Sequence, residues 1–176
     1  MIEGVLAYSA ITSSERPIDV IDLNDVVDNI ETDLEILIQK KHAKLQKGRL
    51  PVIEGASVLI YQLFYNLINN ALKFAKLDNE TLITIESTII GANDKKMAKI
   101  IITDNGIGLD PDYVHKIFDV FSRLNAKDEY EGTGLGLALC KKIVQRHHGT
   151  IQATGVKGES ASFILLLPVH QAQKII

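Results

Sequence analysis

Residues 61–74 read Tyr61-Gln62-Leu63-Phe64-Tyr65-Asn66-Leu67-Ile68-Asn69-Asn70-Ala71-Leu72-Lys73-Phe74. Phe64, Leu67, Ile68, Ala71 and Ala75 recur at helical spacing and define one apolar face. Asn66, Asn70 and Lys73 stand at i, i+4 and i+7 on the other face, with Gln62 and Asn69 beside them. Asparagine is a poor helix former, so the cluster at 66, 69 and 70 needs an explanation. A solvated polar face is one. Ligand binding is the other. An amide carbonyl suits Mg²⁺, which commonly takes one or two protein oxygens and fills its octahedron with phosphate oxygens and water. The Lys73 ammonium suits phosphate.

Outward from this helix, set at 57–75, the pattern is mixed. Upstream, 18–22 alternates weakly as a short strand. Residues 24–41 read as one helix, capped by Asp22 or Asn24, with Val27, Ile30, Leu34, Leu37 and Ile38 in a stripe. Short strands are expected at 43–46 and 50–54, flanking Lys47-Gly48. Downstream, 82–90 and 98–104 are β-rich and joined by Gly91-Ala92-Asn93-Asp94. A short helix follows Pro111 at 112–118. A longer one at 137–147 is expected to stop at Gly149. Strands at 150–154 and 161–167 surround Gly155 and Gly158. Helices and strands do not alternate regularly, which favours α+β, with helices on one face of a mixed or antiparallel sheet.

Two further segments carry candidate chemistry. In Ile100-Ile101-Ile102-Thr103-Asp104-Asn105-Gly106-Ile107-Gly108 a strand delivers an acid into a glycine-containing turn. A plain Asn-Gly turn would look the same. The calcium-loop reading fails, because the acidic spacing and closing Glu are absent. The ligand reading uses the glycines for close backbone approach and a semi-buried carboxylate as acceptor for an amine. In Gly132-Thr133-Gly134-Leu135-Gly136-Leu137 a glycine loop runs into a helix and offers N–H groups to phosphate. Its spacing is neither the dinucleotide fingerprint nor a P-loop. Between the two lie Phe118-Asp119-Val120-Phe121-Ser122-Arg123 and a polar stretch to Glu131. A long polar loop in a small domain reads as a lid, anchored by Phe118 and Phe121.

Composition narrows the classes. The 176 residues carry 19 basic and 22 acidic side chains, a net charge of −3, which argues against a general nucleic-acid binder. One cysteine, Cys140, excludes a disulfide framework and a cysteine metal cluster. No apolar run is long enough for a membrane span and no signal-peptide pattern opens the chain, so the expected location is the cytoplasm.

The order and spacing of the four segments are more specific than any one of them. Together they resemble the nucleotide-binding domain of bacterial sensor histidine kinases, in the superfamily that also holds gyrase, the heat-shock chaperone ATPase and MutL. Residues 66–74 are similar to that family's N box and 104–108 to its first glycine box. Residues 118–123 are similar to the F box and 132–137 to the second glycine box. The likeness runs over about 18–168. Residues 1–11 resemble the end of the second helix of the family's dimerisation and phosphotransfer hairpin. The resemblance implies a Bergerat-type two-layer α/β sandwich: a mixed sheet, helices on one face, and a flexible ATP lid. It divides the chain into 1–16 (hairpin end and linker), 17–170 (ATP-binding catalytic domain) and 171–176 (tail).

The resemblance also implies roles. ATP and Mg²⁺ would be the cofactors, with Asn70 as metal ligand, Asn66 near the same cluster, and Lys73 and Arg123 approaching phosphate. Asp104 would accept the adenine amine beside Gly106 and Gly108. Phe118, Phe121, Gly132, Thr133, Gly134, Leu135, Gly136 and Leu137 would form the lid anchors and glycine loop. Implied partners are the protein's own hairpin, in a homodimer, and a response-regulator receiver domain, without nucleic acid or membrane contact by this domain. The superfamily's ATPases and serine kinases resemble one another in placing a glutamate base one turn before the metal asparagine. Here that position is Asn66, which favours a histidine kinase over a hydrolase or serine kinase. A degenerate nucleotide-binding module is disfavoured, because every ligand-type residue is present. Cys140 reads as core. His147-His148-Gly149 reads as a helix end, since adjacent helical histidines point apart. His42, His115 and His170 show no partner motif, and Lys95 and Lys96 read as a solvated turn.

Overall fold

The computed structural model describes residues 17–76, 79–92, 95–120 and 134–171. Five strands form a mixed sheet in the order β2 (Ala43–Lys47), β4 (Thr81–Ile90), β5 (Met97–Asp104), β7 (Ser160–Pro168) and β6 (Thr150–Val156). Neighbours are antiparallel except β2 and β4, which run parallel with Ala43 opposite Thr81. A parallel pair needs a long crossover. It is supplied here by β3 (Val52–Gly55) and the helix α3 (Ser57–Lys73). β3 belongs to a separate two-stranded sheet with β1 (Asp19–Asp22), Ile21 facing Ile53.

Alternation sorts the main sheet into two faces. Ile83, Ile85, Ala98, Ile100, Ile102, Phe163, Leu165 and Leu167 are buried on one face. The helices α1 (Leu23–Asp33), α3 and α4 (Gly136–Arg146) contribute Leu23, Val27, Ile30, Leu63, Phe64, Leu67, Ile143 and Val144 to the same core. Residues of the opposite face, such as Lys99, Ile101 and Thr103, are only half-buried. The fold is thus α+β, a two-layer sandwich of the Bergerat type. Among the described residues no helix is long and apolar enough to cross a membrane.

Several expected elements are corrected. The helix at 24–41 is two, α1 and α2 (Glu35–Lys40), parted at Leu34. Asp22 is the N-cap, accepting the Asn24 N–H at 2.8 Å. Near the break, the Thr32 hydroxyl donates to the Asp28 carbonyl at 3.0 Å, and the Asp33 carboxylate accepts from the Tyr61 hydroxyl of α3. Such back-bonding bends helices, and Leu34 stays buried through the break. The expected helix at 112–118 is a 3₁₀ turn, Pro111–Lys116, started by Asp110, whose side chain accepts the Asp112 N–H. The strands expected at 43–46 and 50–54 are present as β2 and β3, and they lie in different sheets.

The end of α4 is also corrected. His148, not Gly149, takes the left-handed conformation, with φ of 57°. The His148 N–H donates to Gln145 O and the Gly149 N–H to Val144 O, a Schellman closure. Gly149 is required for a different reason: a Cβ there would overlap the Leu166 carbonyl of β7. His147 closes the helix from inside. Its ring accepts the Ala56 N–H at Nε2 (3.0 Å), which leaves Nδ1–H to donate to Ile143 O (2.8 Å). Burial holds its pKa below the usual histidine value. Cys140 is fully buried, as expected of a core residue.

Candidate nucleotide site

Two elements converge on the C-terminal end of α3. The helix buries Leu59, Ile60, Leu63, Phe64, Leu67, Ile68, Ala71 and Leu72. That leaves Gln62, Asn66, Asn69, Asn70 and Lys73 half-buried, away from the core. The Phe74 N–H donates to Asn70 O, and the Phe74 carbonyl accepts the Ile107 N–H at 3.0 Å. That bond ties the asparagine face to the glycine turn after β5. Gly106 is required by the same approach, because a Cβ there would overlap the Phe74 carbonyl and lie 2.7 Å from Asp104 Oδ1. Lys73 Nζ stands 4.7 Å from the centre of the Phe74 ring.

Asp104 ends a series in β5. Ala98, Ile100, Ile102 and Asp104 alternate into the core face, so the carboxylate points where the preceding isoleucines point. Its strand neighbours are Ile83 and Ala161, both buried and apolar. Only 6% of Asp104 is exposed. Burial pushes its carboxyl up to about 6, against the Gly106 N–H and the charge of Lys76, which pull it down. Oδ1 accepts the Gly106 N–H at 2.9 Å, and among the described residues Oδ2 makes no hydrogen bond. Asn105 makes the turn rigid: its side chain accepts the Leu82 N–H and donates to the Glu80 carbonyl.

Gly108 carries the loop onward with φ of 72°, in a place where a Cβ would overlap the Val156 carbonyl. The Ile107 carbonyl accepts the Gly158 N–H at 2.7 Å, so the glycine turn is braced by the β6–β7 connection.

The second glycine motif is partly described. Gly134 has φ of 71°, Leu135 is buried, and Gly136 begins α4 with no side-chain cap and no acidic residue in the first turn. Among the described residues no side chain caps this helix, so its first N–H groups form the positive end of its dipole. A Cβ on Gly136 would lie 3.9 Å from Asn66 Oδ1, which places the motif beside the asparagine face. Leu137 packs against the core. Phe118 is buried edge-on to Phe163, centroids 6.5 Å apart. The expected contributions of Phe121, Arg123, Gly132 and Thr133, and the lid at 122–133, lie outside the described residues. So do the helix end and linker at 1–16.

α3, the Asp104 turn and the start of α4 are thus brought to one edge of the sandwich. A separate open cleft of about 330 Å³ lies between Phe118 and the Ala138, Lys141 and Gln145 face of α4, and takes in no other candidate. Among the described residues no three His, Cys, Asp or Glu side chains gather as a metal site. Three contributors escaped sequence reasoning: Lys76, the Phe74 carbonyl and the Asn105 bracket.

Residues 55–171 match a family model described as histidine kinase-, DNA gyrase B- and HSP90-like ATPase. The phytochrome-like protein Cph1 of Synechocystis is 34% identical over 169 residues, 96% of this chain and 22% of the relative. Cyanobacterial phytochrome A of Nostoc is 35% identical over 96% of the chain and 21% of its own length. The sensor protein RprX of Bacteroides fragilis is 28% identical over 96% of the chain. The chain spans between a fifth and a third of these three relatives. In fold it is similar to full-length ShkA, solved with AMPPNP (TM-score 0.80, 21% identity, 97% of this chain and 35% of that one). It is also similar to the catalytic domain of the histidine kinase ThkA (TM-score 0.72, 22% identity, 88% of this chain and 99% of that one).

Proposed function

The chain belongs to the histidine kinase-, DNA gyrase B- and HSP90-like ATPase family, and from that premise we propose that it binds Mg·ATP as the catalytic domain of a sensor histidine kinase. Residues 17–170 form the catalytic unit in this reading, with 1–16 and 171–176 flanking it. The observation that carries it is Asp104. A nearly buried carboxylate with one oxygen held by Gly106 and the other without a hydrogen bond among the described residues, braced against the asparagine helix, is an acceptor suited to an amine.

ATP supplies the phosphoryl group that is transferred. Asp104 Oδ2 accepts the adenine amine. Asn70 offers its carbonyl oxygen to Mg²⁺, with Asn66 on the same face one turn before. Lys73 and the start of α4 meet phosphate with an ammonium and with backbone N–H groups. Phosphoryl transfer rests on positioning and electrostatic stabilisation, which such a set of fixed donors provides. The acceptor is a histidine on a helical hairpin, in the full-length homodimer, for relay to a response-regulator aspartate in the cytoplasm.

Position 66 argues for a histidine acceptor over water or a hydroxyl. An amide takes no proton as a general base, whereas neutral imidazole attacks without one. His42, His147, His148 and His170 are followed by Ala43, His148, Gly149 and Gln171, and His115 by Lys116. None has the His-acid pattern of a phosphoacceptor, so the chain alone is expected not to label itself. The test incubates it with labelled ATP, alone and with a separately made hairpin carrying the acceptor histidine. Acid-labile, base-stable label on the hairpin alone is expected. Label on the chain itself, or brisk phosphate release without the hairpin, overturns the reading in favour of a hydrolase.

A further inference from the structure

Regular pairing of β5 with β4 ends at Asp104, opposite Ile83. The next pair in that register is Asn105 with Leu82. In an antiparallel ladder such a pair exchanges both main-chain bonds or neither. Here the exchange is made, but with a substitute. The Asn105 N–H donates to the Leu82 carbonyl at 3.3 Å. In return the Leu82 N–H donates to Asn105 Oδ1 at 2.8 Å, a side-chain oxygen in the place of the main-chain one. Nδ2 reaches further along the same edge and donates to the Glu80 carbonyl at 2.9 Å. These partners fix which way the amide faces. Flipped, its NH₂ would meet the Leu82 N–H and its oxygen the Glu80 carbonyl.

Because the side chain stands in for the main-chain carbonyl, the backbone is free to turn directly after Asp104. That turn brings the Gly106 N–H back to Asp104 Oδ1 at 2.9 Å and the Ile107 N–H to the Phe74 carbonyl at 3.0 Å. Phe74 and residues 80–82 lie at the two ends of the connection from α3 to β4, so the turn is held at both. Without a side-chain acceptor at 105, the Leu82 N–H is satisfied most directly by the main-chain carbonyl of that residue. The ladder would then grow by one pair and carry residue 106 away from Asp104 Oδ1.

We propose that Asn105 is a positioning residue for the base end of the nucleotide site: its amide ends the β4–β5 ladder at Asp104 and so sets the aim of the Asp104 carboxylate. This rests on the Mg·ATP reading above. Asn105 acts through Asp104 and Gly106, so its effect falls on adenine and not on the phosphates. Aspartate in its place keeps an acceptor for the Leu82 N–H and loses the donor to Glu80. Alanine loses both.

The experiment compares the parent with Asn105→Asp, Asn105→Ala and His147→Ala, the last of which loses a buried bond to Ala56 outside the turn. Calorimetry reads Mg·ATP and adenosine affinity, and NMR follows the Gly106 amide proton without nucleotide. A lost hydrogen bond of ordinary strength predicts that Asn105→Ala weakens adenosine and Mg·ATP by the same factor, about fivefold, while Asn105→Asp stays within about twofold. The Gly106 proton should move in Asn105→Ala and stay near the parent position in Asn105→Asp. His147→Ala, though less stable, should bind both ligands like the parent and leave Gly106 unmoved, which separates positioning from stability. The proposal is overturned if Asn105→Ala binds adenosine like the parent, weakens Mg·ATP alone or leaves Gly106 unmoved, or if Asn105→Asp falls as far. If Asn105→Ala fails to fold, the parent decides through the NMR coupling across the hydrogen bond from the Leu82 N–H: coupling to the Asn105 side-chain carbonyl supports the proposal, and coupling to its main-chain carbonyl overturns it. If the parent binds neither ligand, the functional reading falls, and the Gly106 resonance and that coupling still accept or reject the role of Asn105 in the turn.

Discussion

Replacing Asp104 by asparagine should move stability and nucleotide affinity in opposite directions. The carboxyl is 6% exposed and its pKa rises from 3.8 to about 6 on burial. Folding thus favours the protonated acid. The resulting stability is fully present below about pH 4 and lost as pH rises through about 6. At pH 8 the empty domain carries an ionised, desolvated carboxylate, at a cost of up to about 3 kcal/mol for a shift of roughly two units. Asp104→Asn removes that charge, so the empty variant should melt higher than the parent at pH 8 and about equally at pH 4. Binding should suffer instead. With the asparagine oxygen kept on the Gly106 N–H, its NH₂ occupies the place of Oδ2 and meets the adenine amine donor to donor. With the amide flipped, the Gly106 N–H loses its acceptor. An unmet buried polar group costs about 1–3 kcal/mol, roughly one to two decades in affinity. Calorimetric titration with ATP and thermal melts at the two pH values read both arms. Equal ATP affinity in variant and parent would remove Asp104 from the site. A variant less stable than the parent at pH 8 would refute the burial argument.

Asn70→Ala should weaken Mg·ATP by about tenfold or more, from the loss of an oxygen facing a cation, and leave adenosine unchanged; calorimetry with both ligands separates the two. His147→Ala leaves the buried Ala56 N–H without its acceptor and should cost about 1–3 kcal/mol in denaturant unfolding. The parent should also lose stability as pH falls below the ordinary histidine value of 6.5, because His147 is held neutral by burial, and His147→Ala should lack that part of the dependence. Gly108→Ala and Gly158→Ala share a left-handed φ, but Gly158 faces open space while Gly108 abuts the Val156 carbonyl. Denaturant unfolding should show about 1–2 kcal/mol for Gly158→Ala and several times more for Gly108→Ala.

The sequence by itself determined the elements whose periodicity is strong and whose ends carry chemistry. The helix bearing Asn66, Asn70 and Lys73 was legible because eight buried apolar residues mark one side of it. The strand ending in Asp104 was legible because alternating residues select one face. The α+β class followed from hairpin signals mixed with helices, and the order of the four motifs pointed to the family. What tertiary structure decided lay where local signals were silent or had two solutions. Nothing in 24–41 announces a break at Leu34, since no proline or glycine is present, and the bonds beside it include one to Tyr61 of another helix. Lys47-Gly48 does not reveal that the strands on either side belong to different sheets, because partner choice depends on segments tens of residues away. Gly149 looks like a helix stop, yet His148 takes the left-handed position, and the glycine is held by the approach of β7. Asp104 could be read as an acceptor from its turn. That its carboxylate is nearly buried, with one oxygen committed and its acidity weakened, follows only from Ile83 and Ala161 closing around it and Phe74 fixing the loop. Periodicity is a property of one segment; desolvation, register and close approach are properties of two or more, and exist only once the chain has packed.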